Sequence, residues 1–139
     1  MLITEFYTGQ GFGNQLWAYA TLRSLAMKLD FAYGIQSPWR FKGAIFLKLD
    51  MGKLVLGKSN SGPNSQSLPL GIKNYFREDK VFHTLERYDI SPFDKKIFNL
   101  SDKTKIDGYY QSEFLIKEFR NEITKWYKVE NNHATDKFD

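Results

Sequence analysis

Leu2-Ile3-Thr4-Glu5-Phe6-Tyr7-Thr8-Gly9-Gln10-Gly11-Phe12-Gly13-Asn14-Gln15-Leu16-Trp17-Ala18-Tyr19-Ala20 opens the chain and sets its fold class. A mostly apolar run of strand length leads into glycines at alternating positions, and these lead into an apolar segment. Strand, glycine turn and helix in that order form the layout of a ligand-binding turn. Glycines lack the Cβ atoms that keep a ligand away from the backbone. A helix that begins near Asn14 leaves its first N–H groups without intrahelical partners, so its N-terminus attracts anions. The attraction is modest, about 0.3–1 kcal/mol at an exposed site and up to ~2 when partly buried. Such a turn positions a phosphate or a sugar, and other groups must hold it.

The neighbouring segments extend this start. Residues 2–7 read as a strand. Residues 14–29 read as a helix: Leu22, Leu25, Ala26 and Leu29 recur at helical spacing, and apolar residues on its other faces predict deep burial. Asn14 suits the N-cap. Asp30 ends the helix, and residues 31–35 read as a second strand. Strand, helix and strand over so short a stretch predict a βαβ unit with a parallel sheet and a right-handed crossover. Residues 37–43 form a turn with aromatic and basic groups, residues 44–50 a short helix or strand, and residues 54–56 a short strand. Residues 57–71, rich in Ser, Asn, Gly and Pro, read as a loop long enough for a lid or insertion. Residues 75–88 show no clear pattern, and residues 94–99 read as a short helix. Residues 105–110 read as a strand running into a turn. Ser112 then suits an N-cap for a last helix over 113–128, whose apolar face is Ile116, Phe119, Ile123 and Trp126. The expected organisation is one α/β domain over 1–129, a Rossmann-like parallel sheet with flanking helices, and a polar, frayed tail over 130–139.

Composition narrows the chemistry. Aromatic residues make up 17% of the 139 residues, enough for a substantial core. There is no cysteine, which removes disulfides and thiolate zinc sites and fits a reducing compartment. The two histidines, His83 and His133, lack metal-ligand spacing and read as surface residues. No metal site is expected. The net charge of +4 comes from basic residues spread along the chain and reads by default as a solvated basic surface, with attraction to a phosphate-bearing ligand or an anionic membrane face as the alternative, and no nucleic-acid partner is expected. No apolar run approaches the ~20 residues that cross a bilayer, and no basic-then-apolar leader opens the sequence. A cytoplasmic protein, in part peripheral to a membrane, is expected.

The glycine turn fits neither common phosphate-binding signature. Counting from Gly9 and Gly11, the dinucleotide fingerprint requires glycine where Asn14 stands; counting from Gly11 and Gly13, it requires glycine where Leu16 stands. The P-loop requires Gly-Lys-Ser/Thr before the helix, and none follows. A tight β–α turn without a ligand is the plain alternative. The Asn14-Gln15 pair favours a ligand, because carboxamides donate to phosphate or sugar oxygens and accept from hydroxyls. An Asn14 spent on capping explains that residue equally well.

The stretch from Gly11-Phe12-Gly13-Asn14-Gln15-Leu16-Trp17-Ala18-Tyr19-Ala20 to Ala26 resembles the opening motif of the alpha-1,2-fucosyltransferases, glycosyltransferase family 11, with its G-x-x-G-N-Q-hydrophobic-x-x-Y-A pattern. Gly108-Tyr109-Tyr110-Gln111-Ser112-Glu113, followed by Arg120-Asn121-Glu122-Ile123, resembles that family's G-Y-x-Q-S segment and the helix after it. Between residues 34 and 107 the resemblance is weak. It implies the N-terminal lobe of a two-lobed GT-B glycosyltransferase. It further implies transfer of fucose from GDP-fucose to a glycan hydroxyl with inversion and without a metal or other cofactor. Gly11, Phe12, Gly13, Asn14 and Gln15 carry over as donor-binding residues. The family's His-x-Arg-Arg-x-Asp type motif is not in this sequence, which looks like about the first half of such an enzyme and implies a further C-terminal lobe as partner. An arginine facing a leaving phosphate is worth ~10³–10⁵ in rate in phosphoryl transfer, so a lobe without it is expected to be weakly active or inactive.

Inverting transfer gains roughly 10²–10⁴ from a general base. Asp107 and Glu113 flank the Gly-Tyr-Tyr-Gln-Ser segment and are the candidates for that role. Their plain readings are a turn residue for Asp107 and a helix-start carboxylate for Glu113. Tyr109, Tyr110 and Trp39 suit either stacking on a sugar or packing. Two rival functions remain beside the transferase: a non-catalytic module that binds a sugar nucleotide or a glycan, and a flavodoxin-like regulatory domain without a ligand at the turn.

Overall fold

A computed structural model describes residues 1–57, 62, 68–77, 95–108 and 113–128. It is an α/β fold. Strands β1 (Leu2–Glu5), β2 (Tyr33–Gln36), β3 (Asn74–Arg77) and β4 (Thr104–Asp107) form one sheet in the order β2-β1-β4-β3. All three pairings are parallel. Helices α1 (Phe12–Leu29), α2 (Glu113–Glu118) and α3 (Arg120–Trp126) flank it.

The sheet sorts its side chains by alternation. Leu2, Phe6, Ile35 and Ile106 join Tyr19, Leu22, Leu25 and Ala26 of α1 in the apolar core. Ile3, Glu5, Gln36, Lys105 and Asp107 fall on the opposite face, and all of them are buried. Interior strands of a parallel sheet are covered on both sides, so the polar members of this second face must satisfy one another.

Helix α1 ends as its sequence predicts. Asp30 adopts the left-handed conformation (φ 59°), its N–H donates to Met27 O, and the Phe31 N–H donates to Ala26 O at 2.8 Å. This is the Schellman arrangement. It draws Phe31 away from the sheet, so β2 runs over Tyr33–Gln36 rather than 31–35. The start of α1 also differs from the reading. The helix opens at Phe12 on the N-cap Gly11, and Asn14 lies inside its first turn instead of capping it. β1 stops at Glu5, two residues short of Tyr7.

Residues 42–46 are a turn, and residues 54–56 form neither helix nor strand. Instead Gly52 bridges Gly34 antiparallel at the outer edge of β2, with the Lys53 N–H donating to Tyr33 O at 2.8 Å. This contact covers an otherwise open strand edge. Lys95–Asn99 is a 3₁₀ turn. The last helix is broken at Phe119 (φ −110°), where α2 gives way to α3. An aromatic cluster locks α3 onto α1: the Arg23 guanidinium lies 4.4 Å from the Trp126 ring centroid, and the Tyr127 hydroxyl donates to Leu16 O. Lys28 of α1 pairs with Glu118 of α2 at 2.7 Å. Most of the 57–71 loop, residues 78–94, residues 109–112 and the 130–139 tail lie outside the described residues, and His83 and His133 lie there with them. No described helix is long and apolar enough to cross a membrane.

Candidate functional site at the carboxyl ends of β1 and β4

β1 and β4 lie far apart in sequence and side by side in the sheet. Their carboxyl ends bring two segments together: the glycine turn after β1 and Asp107-Gly108 at the end of β4.

The turn is built in two steps. The Gln10 N–H donates to Tyr7 O at 3.1 Å, closing a four-residue turn over Thr8-Gly9. Gly9 takes φ +80°, the conformation that a type II turn demands of its third residue and that favours glycine. The Gln10 side chain folds back, its Oε1 accepting from the Tyr7 N–H at 3.1 Å. Gly11 then enters α1 in extended conformation, without a side-chain cap and without an acidic residue in the first turn.

Gly11 and Gly13 behave differently from Gly9. Neither has a positive φ, and among the described residues a Cβ added to either meets nothing within 4 Å. The fold therefore does not require glycine at these positions. Gly13 stands within a helix, where glycine costs about 1 kcal/mol relative to alanine. The turn is exposed at Gly9, Gly11, Phe12 and Gly13, and among the described residues no atom occupies the space that a Cβ at Gly9, Gly11 or Gly13 would enter.

Gln15 lies inward. Its Nε2 donates to Arg40 O at 2.9 Å, and its Oε1 accepts from the Lys42 N–H at 2.9 Å. Both ends of a fully buried carboxamide thus hold the 38–42 backbone against the first turn of α1. Phe12 leans the same way, with its ring 5.9 Å from that of Phe41.

Beneath the turn lies a polar network absent from the sequence reading apart from Asp107. The Lys105 Nζ donates to Glu5 Oε1 at 2.8 Å and to Gln36 Oε1 at 3.1 Å, with both charged groups fully buried. The Ser37 hydroxyl donates to Glu5 Oε2 at 3.2 Å, and the Arg40 guanidinium stands 3.6 Å from the same oxygen. Two cations therefore face one carboxylate. The available signal was charge at alternating positions of two strands that pair at the centre of a parallel sheet.

Asp107 is 1% exposed. The Tyr7 hydroxyl donates to its Oδ1 at 2.5 Å, which ties the first residue of the glycine turn to β4. Its Oδ2 is buried and has no hydrogen-bond partner among the described residues. Burial raises the Asp107 pKa above the usual carboxylate range, against the opposing pull of Tyr7, Tyr75 and Lys105. The Tyr7 phenol is pushed well above its ordinary value, first by burial and then by the neighbouring Asp107 charge. Tyr75 shifts the same way, first through burial and then through Asp107.

The predicted site residues thus divide. Gly11, Phe12, Gly13 and Asn14 form the rim of the turn, Gln15 supports it from below, and Asp107 joins it through Tyr7. Glu113 opens α2. Tyr109, Tyr110 and Ser112 lie outside the described residues, and Trp39 is exposed on a 3₁₀ turn. No group of acidic or histidine side chains suited to a metal occurs among the described residues. No known protein family, no curated protein and no solved structure matches the chain.

Proposed function

We propose that the turn over residues 8–14 receives the diphosphate of a sugar nucleotide, and that the chain serves glycosyl transfer of the fucosyltransferase type. In that reading it acts as the N-terminal lobe of a GT-B enzyme, with GDP-fucose as donor and a glycan hydroxyl as acceptor. The observation that carries the proposal is Gly13. It weakens the helix it belongs to, and neither its backbone angles nor its neighbours require a missing side chain. A close approach from outside the chain explains that cost. The first turn of α1 supplies backbone donors and the positive end of an 18-residue helix. Gln15 acts as a positioning residue, fixing the wall formed by residues 38–42.

The burial of Asp107 favours a second reading, in which the module binds a sugar nucleotide without turning it over. A general base must come within hydrogen-bond reach of the acceptor hydroxyl, and Asp107 lies covered, with one oxygen held by Tyr7.

Calorimetric titration with GDP, GMP and guanosine tests the binding step common to both readings. Affinity in the order GDP, GMP, guanosine supports a turn that reads the diphosphate, and equal or absent binding of all three overturns it. Release of fucose from GDP-fucose to a glycan mixture then separates transfer from binding alone.

A further inference from the structure

The segment from Pro38 to Lys48 combines two properties that a protein in water ordinarily keeps apart. Trp39 is 73% exposed, Ile45 88% and Phe46 61%. Phe12, 40% exposed, stands against the same segment, because the Gly43 backbone approaches its ring so closely that a Cβ there would collide with it. The segment is firmly held. Phe41 and Leu47 anchor it in the core, the Phe46 and Leu47 N–H groups both donate to Gly43 O at 2.9 Å, and Gln15 clamps the backbone at 40 and 42. The exposed apolar side chains therefore project from a fixed base.

The same eleven residues carry Arg40, Lys42 and Lys48 and no acidic residue. Arg40 is engaged with Glu5, whereas Lys42 and Lys48 are exposed and make no ion pair among the described residues. Large apolar tips between lysines match a surface that offers acyl chains just beneath negative headgroups. Tryptophan and phenylalanine insert at that depth, and lysine stems extend back to the charge.

We infer that residues 38–48, together with Phe12, form the face by which this protein lies on an anionic lipid surface. The inference does not rest on the sugar-nucleotide reading.

Sedimentation of the full chain with vesicles tests it, using phosphatidylcholine alone and phosphatidylcholine mixed with phosphatidylserine. Binding to the mixed vesicles that weakens with added salt is expected. Lys42→Gln with Lys48→Gln should lower that partition about 25-fold, from roughly fivefold per lysine. Ile45→Glu with Phe46→Glu should abolish it while leaving the unfolding midpoint of these exposed positions in place. A blue shift of tryptophan emission on adding mixed vesicles, lost in Trp39→Phe, gives a readout that needs no destabilising change. Equal binding to both vesicle types, or to neither, overturns the inference. A rise in sedimenting mass with protein concentration that Phe46→Glu removes, without vesicle binding, also overturns it and assigns the face to a second copy of the chain.

Discussion

Replacing Gly13 by alanine separates what the fold needs from what a ligand needs. The position lies in the first turn of α1, its φ is not positive, and an added Cβ meets no atom of the described residues within 4 Å. Alanine therefore fits without strain and recovers about 0.5–1 kcal/mol of helix stability. For a chain of this size that raises Tm by about 2–5 °C. The added methyl points into the space that a diphosphate is proposed to occupy, and a tenfold loss of affinity (about 1.4 kcal/mol) is the expected result. With GDP held near 100 times the wild-type Kd, ligand binding stabilises the native protein by about 2.7 kcal/mol, and a tenfold weaker variant by about 1.4. Thermal unfolding with and without GDP reads both numbers at once. The variant should melt higher than the wild type without ligand, and its ligand-induced shift should be about half as large. A higher melting point with an unchanged ligand shift would show that no ligand touches Gly13. A lower melting point would refute the open turn itself.

Gly9→Ala should behave in the opposite way, losing about 1–2 kcal/mol because its φ of +80° disfavours a side chain; urea denaturation measures this. Gln15→Ala should cost about 3 kcal/mol in the same assay, since it removes two buried hydrogen bonds, those with the Lys42 N–H and the Arg40 carbonyl. Glu5→Gln should destabilise by about 3–5 kcal/mol in urea denaturation by taking the carboxylate from the buried Lys105, and Lys105→Met should cost less because Arg40 still faces Glu5. Asp107 has a raised pKa in the folded state, so the native protein holds its proton more tightly than the unfolded chain does. Its contribution is then fully present below the unfolded carboxylate value and is lost as pH rises through the folded one. The difference in stability between wild type and Asp107→Asn should slope across that window and be flat above it.

How far the sequence discloses this structure depends on where the forces are local. α1 was legible because it is long and apolar on several faces and its end is fixed by Asp30, while its start lies at Phe12, on the N-cap Gly11, rather than at Asn14. β3 had no pattern to read: Asn74–Arg77 is short and partly exposed, and its register comes from pairing with β4. The break at Phe119 was hidden by an apolar face that continues across it from Ile116 to Trp126. In the site, the glycines were visible and the role of Gln15 was not. A carboxamide at a helix start reads as a ligand contact, and only the fold of residues 38–42 over it shows that both its ends are taken. Lys105 falls in a stretch that reads as a strand running into a turn, and Asp107 reads as a turn residue. Their burial follows from the position of β4 between β1 and β3, which is a tertiary fact.

Three departures from a stability-optimised design meet at the same strand ends. Gly13 weakens a helix that has room for a side chain. Asp107 keeps a buried oxygen with no hydrogen-bond partner among the described residues, where an unsatisfied group costs about 1–3 kcal/mol. Glu5 and Lys105 form an ion pair out of water, an arrangement that apolar residues of similar volume often match or exceed in stability. Spread over the molecule, each would be an ordinary imperfection. Here Tyr7 joins two of them directly: it opens the glycine turn, its hydroxyl holds Asp107, and its ring lies 5.5 Å from the Lys105 ammonium. Local rules that fail together in one place mark sites kept for something other than folding. Tyr7→Phe tests that connection, because it cuts the turn from Asp107 without touching a glycine. If turn and network act as a unit, the variant lowers GDP affinity as well as stability; if affinity holds while stability falls, the network is structural and the turn works alone.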